Sequence, residues 1–327
     1  MTLKKLAEIA GTTVSTVSKA FRDSKEISKK TKEKIFSLAK EYGCFEKYYR
    51  GENNKIIVGI ICPEPESETY GIAVGKIEKA LYKRGANALI GISRFSKERV
   101  RELYLTMAQR ARVDGIVVFG GIDAICGVEY VPTVVISEAQ SEDPTDINIV
   151  ISLSDAVNEL VALLKKEGYR RIGFIGESLT TARLDAFKHA IRRNGLPLYE
   201  EMIFVAKSAR FAEAGMDGMR AFINSGNVPE VIITAYDNIA FGAMRVAKEN
   251  GFLIPDDISF VGINDIDTSE YMSISLTSID TSYDEVAYAA VDLLLDKIRN
   301  KAKAPQNLQI AAKLKMRESI RINEKSK

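Results

Sequence analysis

Tryptophan is absent from this 327-residue chain, histidine occurs once, cysteine three times and proline eight times. One histidine, His189, excludes a multi-histidine metal site and leaves any Ser-His-Asp triad a single candidate base. It reads as a surface or packing residue. Cys44, Cys62 and Cys126 are odd in number and never fall at C-x-x-C spacing. A disulfide scaffold or a zinc finger is therefore not expected, and a reducing cytoplasm fits. No apolar run approaches the ~20 residues that span a bilayer. The start, MTLKKLAEIAGTTVSTVSK, has neither a long apolar core nor a small-residue cleavage site, so secretion is not expected. Neither G-x-G-x-x-G after the first strand nor G-x-x-x-x-G-K-[ST] occurs, which removes the usual dinucleotide and phosphate loops. Catalytic residues, metals and cofactors are all expected to be lacking, and the chain does not read as an enzyme.

What is present is ordinary globular composition, 46% hydrophobic, in a length that suits about two domains with room for a small third. The net charge of +2 hides an asymmetry. Residues 1–55 carry 13 Lys+Arg against 7 Asp+Glu, and the remaining residues 33 against 37. A small basic head on a slightly acidic body points to a polyanion as the partner of the head.

Leu3, Leu6, Ala7, Ile9 and Ala10 recur at helical spacing, so residues 3–10 read as a short amphipathic helix. Gly11 ends it, and Thr12 or Thr13 caps a second helix from about Val14 to Phe21. Val17, Ala20 and Phe21 form the apolar face of that helix; Ser15, Thr16, Ser18, Lys19 and Arg22 form the other. A third helix runs from Ser28 to about Tyr42. Two short helices joined by a glycine turn with a third behind them describe a helix-turn-helix, whose second helix offers short polar side chains to base edges and helix N-termini to phosphates.

At this point TLKKLAEIAGTTVSTVSKAF resembles the DNA-binding signature of the LacI/GalR family of bacterial repressors. Thr2, Leu3, Leu6, Ala7, Ala10, Gly11, Thr16, Val17, Ser18 and Lys19 match; Thr12 and Thr13 stand where the family usually has Val-Ser. The resemblance implies DNA contacts from Thr2, Thr13, Val14, Ser15, Thr16, Ser18, Lys19 and Arg22. Its base-reading positions fall on Val14, Ser15 and Lys19. Lys19 replaces the usual Arg, which loses the bidentate fork to guanine and predicts weaker discrimination there.

The connector, CFEKYYRGENNK (44–55), is polar and reads as a linker. The family's hinge helix, with its minor-groove Leu wedge, has no residue-by-residue match here. Either Tyr48 and Tyr49, with Arg50, replace the wedge, or there is no hinge helix and DNA is bent less. The second reading is preferred.

From residue 56 the pattern is α/β. Apolar strands at IIVGIIC, ANALIGI, DGIVVFG, TVVIS and INIVI alternate with helices; RRIGFIG restarts the series, followed by MIFVAK, EVIITA and ISFVGIN. Repeated βα units imply doubly wound parallel sheets with helices on both faces, here in two lobes. The expected division is a head at 1–43, a connector at 44–55 and a sensor body at 56–327. The N-lobe is expected at about 56–152 and 282–312, the C-lobe at about 153–281 and 313–327. EGYRRIGFIG, the Arg183-to-Phe187 spacing, TAYDNIAFGAM and DISFVGINDIDTSEYMSISLTSID resemble type I periplasmic sugar-binding proteins, the core that the LacI/GalR family uses.

Two such lobes place a ligand crevice between the carboxyl ends of their sheets. The candidate effector residues are Tyr70, Phe119, Thr180, Arg183, Tyr236 and Asn264. Arg183 suits adjacent sugar hydroxyls, Phe119 could stack on a ring, and Tyr70 could close the cleft. Asp237 reads as a helix N-cap. Glu138 occupies a position where many relatives have Arg, so no contact is carried over to it. The resemblance implies a repressor acting as a homodimer on a near-palindromic operator in the cytoplasm and responding to a small sugar. GESLTTAR, ARFAEAG and GINDIDTSEY look like a galactoside-responsive branch. With no heptad tail, a coiled-coil tetramer is not expected. The alternative, a transport protein that binds sugar and has no DNA role, suits the body but not the basic head.

Overall fold

The computed structural model describes residues 1–52, 55–120, 122–125, 130–138, 149–300 and 307–322. The fold is mixed α/β and divides into a helical head built on Met1–Ile56 and a body built on Ile57–Arg84 and Ala88–Lys327.

In the head, α1 (Leu3–Ala10), α2 (Val14–Phe21) and α3 (Lys29–Glu41) stand where the periodicity placed them. Side-chain oxygens cap each start: Thr2 accepts from Lys5 N–H, Thr13 from Thr16 and Ser28 from Thr31. Gly11 ends α1 at φ +65°, a left-handed conformation that costs glycine nothing. Lys34 Nζ donates to the Ala10 carbonyl at 2.9 Å and so satisfies an orphan acceptor at the C-terminus of α1. Leu6, Val17, Phe21 and Ile35 are almost wholly buried where the helices meet.

The connector departs from expectation, because α4 (Phe45–Glu52) is a helix of the head itself. Phe45, Tyr48 and Tyr49 recur at i, i+3 and i+4, the spacing of one helix face. They join Phe21 and Phe36 in an aromatic cluster: Phe21–Phe36 at 5.3 Å, Phe21–Tyr48 at 5.7 Å and Phe45–Tyr49 at 4.8 Å between centroids. Lys47, between the aromatic positions, is exposed.

The body runs β1 (Ile57–Cys62), α5 (Glu68–Lys83), β2 (Asn87–Ile92), α6 (Lys97–Leu105), β3 (Gly115–Phe119), α7 (Ile122–Ile125), β4 (Thr133–Ser137) and β5 (Ile149–Ser152). The second series is α8 (Leu153–Lys166), β6 (Ile172–Glu177), α9 (Thr181–Arg193), β7 (Ile203–Ala206), α10 (Phe211–Ser225), β8 (Val231–Thr234), α11 (Asp237–Glu249), β9 (Ser259–Ile263), α12 (Thr268–Tyr271) and β10 (Thr277–Asp280). The chain then runs through α13 (Tyr283–Asn300), β11 (Leu308–Ala311) and β12 (Lys313–Lys315).

Two six-stranded sheets result, in the orders β11-β5-β4-β3-β1-β2 and β12-β10-β9-β8-β6-β7. The central strands pair in parallel, as β1 with β3 (Val58 opposite Gly115) and β6 with β8 (Ile172 opposite Val231). β11 adds parallel to β5, whereas β12 adds antiparallel to β10. The chain therefore passes between the sheets three times: after β5, after β10 and between β11 and β12. β3 and β9 are buried along their whole length, as strands covered on both faces must be.

Glycines set two close approaches. Met107 lies in a π-type turn after α6 and packs against Gly59 and Gly91; a Cβ there would lie 2.7 and 2.8 Å from its side chain. More tightly, α10 and α11 cross at Gly215 and Gly242. A Cβ on Gly242 would fall 1.8 Å from the Ala212 carbonyl oxygen, and one on Gly215 1.9 Å from that of Ile239. Backbone cannot yield as a side-chain tip does. Gly242→Ala is therefore expected to cost at least the ~1–3 kcal/mol of an overpacked core and to lower the unfolding temperature by several degrees in calorimetry. An unchanged transition would mean that the helices do not meet so closely.

Candidate functional site

The head presents the outer side of α2. Val14, Ser15 and Arg22 are exposed and Thr16, Ser18 and Lys19 half-buried, while Val17, Ala20 and Phe21 face inward. The Thr13 and Thr16 hydroxyls share a hydrogen bond of 2.9 Å, so the cap and its neighbour are held together at the first turn. Thr2 is exposed at the start of α1. Lys19 Nζ sits 2.5 Å from Glu26, an ion pair across the surface that the sequence reading missed. A surface pair of this kind contributes little stability, about 0–1 kcal/mol, but it orients the lysine.

Tyr48 has its ring against Phe21, and its hydroxyl donates to the Met1 carbonyl at 2.7 Å. Tyr49 remains 43% exposed. Arg50 lies on α4, with its side chain outside the described residues.

In the body, the carboxyl ends of the two sheets converge on a cavity of about 370 Å³. Tyr70, Phe119, Thr180 and Arg183 line it, and Tyr236 and Asn264 line a smaller adjoining recess with Tyr70 and Arg183. The first sheet's lobe supplies aromatic walls: Tyr70 meets Phe95 and Phe119 edge-on, at 6.2 and 5.9 Å. Burial foremost, with the Glu138 charge, pushes the Tyr70 phenol up to about 12.

Arg183, on the first turn of α9, is buried and almost saturated. Nε donates to Glu138 at 2.9 Å, and Nη2 donates both to the other Glu138 oxygen and to Asn264 Oδ1 at 3.1 Å. Nη1 donates to the Ala235 carbonyl at 2.5 Å. Burial opposes its charge, but the Glu138 carboxylate outweighs that and holds the guanidinium above its ordinary pKa. Glu138, at the end of β4, is thus the direct partner of Arg183 across the cleft. Removing Glu138 would leave the buried Arg183 charge without its carboxylate partner, the costly way to break such a pair.

A second bridge lies beside it. Arg210 Nη1 and Nη2 donate to Glu64, after β1, at 2.6 and 2.8 Å, and Nε reaches Glu177 at 3.2 Å. Asn264 Nδ2 donates to Thr69 Oγ1 at 2.7 Å, a third polar link between the lobes. Two of the expected ligand hydroxyls are already engaged. Thr180 Oγ1 donates to the Glu177 carbonyl and accepts from the Glu177 N–H. The Tyr236 hydroxyl accepts from Phe211 N–H at 3.1 Å, and burial holds its pKa above the ordinary value. Glu64, Glu138, Glu177, Arg210 and Tyr283 are the site residues that sequence reading missed. Only Glu138 carried a signal, as a departure from the resembling family.

Asp237 does not cap its own helix. It is the first residue of α11, and its carboxyl accepts from Ile266 N–H at 2.9 Å and Ser278 Oγ at 2.6 Å. It pins the turn that holds Asn264 at φ +104° and Asp265 at φ +51°. Burial raises its pKa to about 7. An unfolded Asp titrates near ~3.9, so the folded state binds the extra proton between these values. The contribution is full below pH ~4 and is lost as pH rises through 7, by at most ~1.4 kcal/mol per pH unit. Urea unfolding from pH 4 to 8 should show wild-type stability falling relative to Asp237→Asn across that window. A flat difference would count against a buried neutral acid.

Tyr48 generates a further expectation. Tyr48→Phe should cost the head about 0.5–1.5 kcal/mol for the lost hydrogen bond, and Tyr48→Ala more. DNA bending measured at the melting-corrected concentration of folded head should stay unchanged in both. A reduced bend angle without loss of stability would place the ring in the minor groove.

Among the described residues no helix is long and apolar enough to cross a membrane, and no cluster of His, Cys, Asp and Glu is placed to hold a metal. Cys44 and Cys62 are free and buried; Cys126 lies outside the described residues.

Comparison with known proteins agrees with both parts of the chain. Residues 2–44 match the model for bacterial regulatory proteins of the lacI family, and residues 161–320 that for a periplasmic binding protein-like domain. The HTH-type transcriptional repressor PurR of Klebsiella pneumoniae subsp. pneumoniae is 25% identical over 98% of this chain and 96% of its own length. The Escherichia coli PurR is 23% identical with the same coverage. The lac repressor dimer bound to operator and the anti-inducer ONPF matches with a TM-score of 0.76 at 22% identity, covering 98% of each chain. The transcriptional regulator CelR in complex with cellobiose matches at 0.69 and 22%, covering 98% of this chain and 99% of its own. These relatives are transcriptional regulators and not enzymes. The chain thus carries a lacI-family helix-turn-helix domain in its head and a periplasmic-binding-protein-like domain in its body, and its relatives of matching length are transcriptional regulators.

Proposed function

We propose that the protein is a repressor whose operator affinity is set by a small sugar bound between the two sheets. The observation that carries this reading is the cavity itself. It is walled by Tyr70 and Phe119 from one lobe and floored by Arg183 from the other, so a single ligand would touch both lobes. Aromatic faces suit the apolar side of a sugar ring, and the bridged polar groups around Arg183 suit its hydroxyls. The cellobiose complex of a structural relative and the ONPF complex of the lac repressor point the same way.

The head reads DNA through Thr13, Val14, Ser15, Thr16, Ser18, Lys19 and Arg22, with Thr2 at a second helix N-terminus. One head reads one half-site, so a homodimer on a near-palindromic operator follows. A ligand shifts this system only by binding one arrangement of the lobes better than another. GESLTTAR and GINDIDTSEY favour a galactoside as that ligand, acting in the cytoplasm.

Two measurements test the proposal. Operator affinity should fall steeply with salt, by about 10³–10⁵ between 50 and 200 mM if six to ten phosphates are contacted; a flat dependence would overturn the head assignment. A galactoside at about 100 times its dissociation constant should stabilise the chain by ~2.7 kcal/mol, and Arg183→Ala should abolish that shift while the variant remains folded. A panel of neutral and charged sugars that gives no shift in the wild type would overturn the effector reading.

A further inference from the structure

The charge arrangement of the cleft carries more than a generic sugar site. In the small recess three carboxylates, Glu64, Glu138 and Glu177, stand against two guanidiniums, Arg183 and Arg210, and in the larger cavity Glu138 stands with Arg183 and Lys97. Arg183 spends Nε and Nη2 on Glu138, Nη2 also on Asn264, and Nη1 on a backbone carbonyl. Arg210 gives both its terminal nitrogens to Glu64 and its Nε to Glu177. The only other cation lining the cavity among the described residues, Lys97, is exposed at the rim and pairs with Asp123 at 2.7 Å. Each positive charge around the cavity is therefore already matched by a carboxylate.

An anionic ligand meets two obstacles here. To reach Arg183 it must displace Glu138, whose own charge then stays in the cleft without a partner. If it settles in the recess it lies against three carboxylates that share two guanidiniums, at low effective dielectric. A neutral ligand meets neither obstacle. The Glu138 oxygens each accept from Arg183 and keep lone-pair capacity for a ligand hydroxyl.

We propose that this cleft selects against negative charge: it takes uncharged, hydroxyl-rich ligands, Glu138 accepts a hydrogen bond from one of their hydroxyls, and phosphorylated or carboxylated sugars are rejected. This rests on the sugar reading above and adds the charge class that the site enforces. Glu138 is the residue that sets it, with Glu64 as its counterpart at the second bridge.

The test uses the full chain, with calorimetric titration and thermal shift, and matched probes: galactose, galactose 6-phosphate, galacturonate and inorganic phosphate. The expected result is binding of the neutral sugar and at least 100-fold weaker binding of both charged sugars. Glu138→Gln keeps the shape of the side chain and removes its charge. It should gain at least tenfold in affinity for galacturonate and acquire a phosphate-dependent shift absent from the wild type. Glu64→Gln, checked in the same way, guards against a Glu138 variant that fails to fold; operator binding at fixed salt reports folding of both. Wild-type binding of galactose 6-phosphate within tenfold of galactose would overturn the proposal and leave the sugar reading standing. Unchanged anion rejection in folded variants of both glutamates would overturn the assignment to these residues. If no sugar binds the wild type, the sugar reading falls. In that case the inorganic phosphate comparison still decides whether Glu138 and Glu64 exclude anions.

Discussion

Glu138 stands after β4 and Arg183 on the first turn of α9, and the arginine's charge could not be buried here without the half-buried carboxylate beside it. Desolvating an isolated guanidinium is prohibitive, so its burial depends on the acceptors that surround it. Those acceptors come from three places in the chain: the Glu138 carboxylate, the Ala235 carbonyl after β8 and the Asn264 amide after β9. The arginine thereby ties the ends of several strands to one point. Asn264 extends the network to Thr69, and Arg210 repeats the arrangement with Glu64 and Glu177. The faces of the cleft are held by directional, charge-assisted bonds, while the aromatic residues supply area without direction.

The head depends on a different economy. Its helices are eight, eight, thirteen and eight residues long, too short to persist alone in water. Each of the first three starts on a hydroxyl cap, and the four share one small core around Phe21. Core residues occupy one side of α2, and its other side presents Ser15 and Arg22 exposed, with Thr16 tied to the cap Thr13. Lys19 on that side is held by Glu26.

Local chemistry was legible in the sequence, and long-range chemistry was not. The glycine turn, the threonine caps and the apolar periodicity place α1 to α3, because each signal lies within four residues of what it controls. The alternation of apolar strands and helices gives the doubly wound class for the same reason. Residues expected around the cleft do converge on it, since strand ends in such folds meet at one place. The partners of those residues were hidden. Arg183 and Glu138 are 45 positions apart, and Arg210 and Glu64 are 146 apart; nothing local marks such pairs. The α4 helix was misread for another reason. Its aromatic spacing was present at positions 45, 48 and 49, but a helix with a single sticky face looks like a polar linker when only composition is weighed. Asp237 was misassigned because a carboxylate at a helix start usually caps that helix, and here Ser278 and the Ile266 amide lie within its reach.

The glycine crossing of α10 and α11 has a consequence for where this body can bend. Helices whose carbonyls sit where a methyl group would be cannot slide past each other, so that half of the second lobe behaves as one block. Any rotation of one sheet against the other must then be absorbed by the three short strands of backbone that join them. One of these, after β10, already holds Ser282 at φ +54°. In mechanical terms, the three connections are the places where a turn of one sheet against the other would concentrate its backbone rotation.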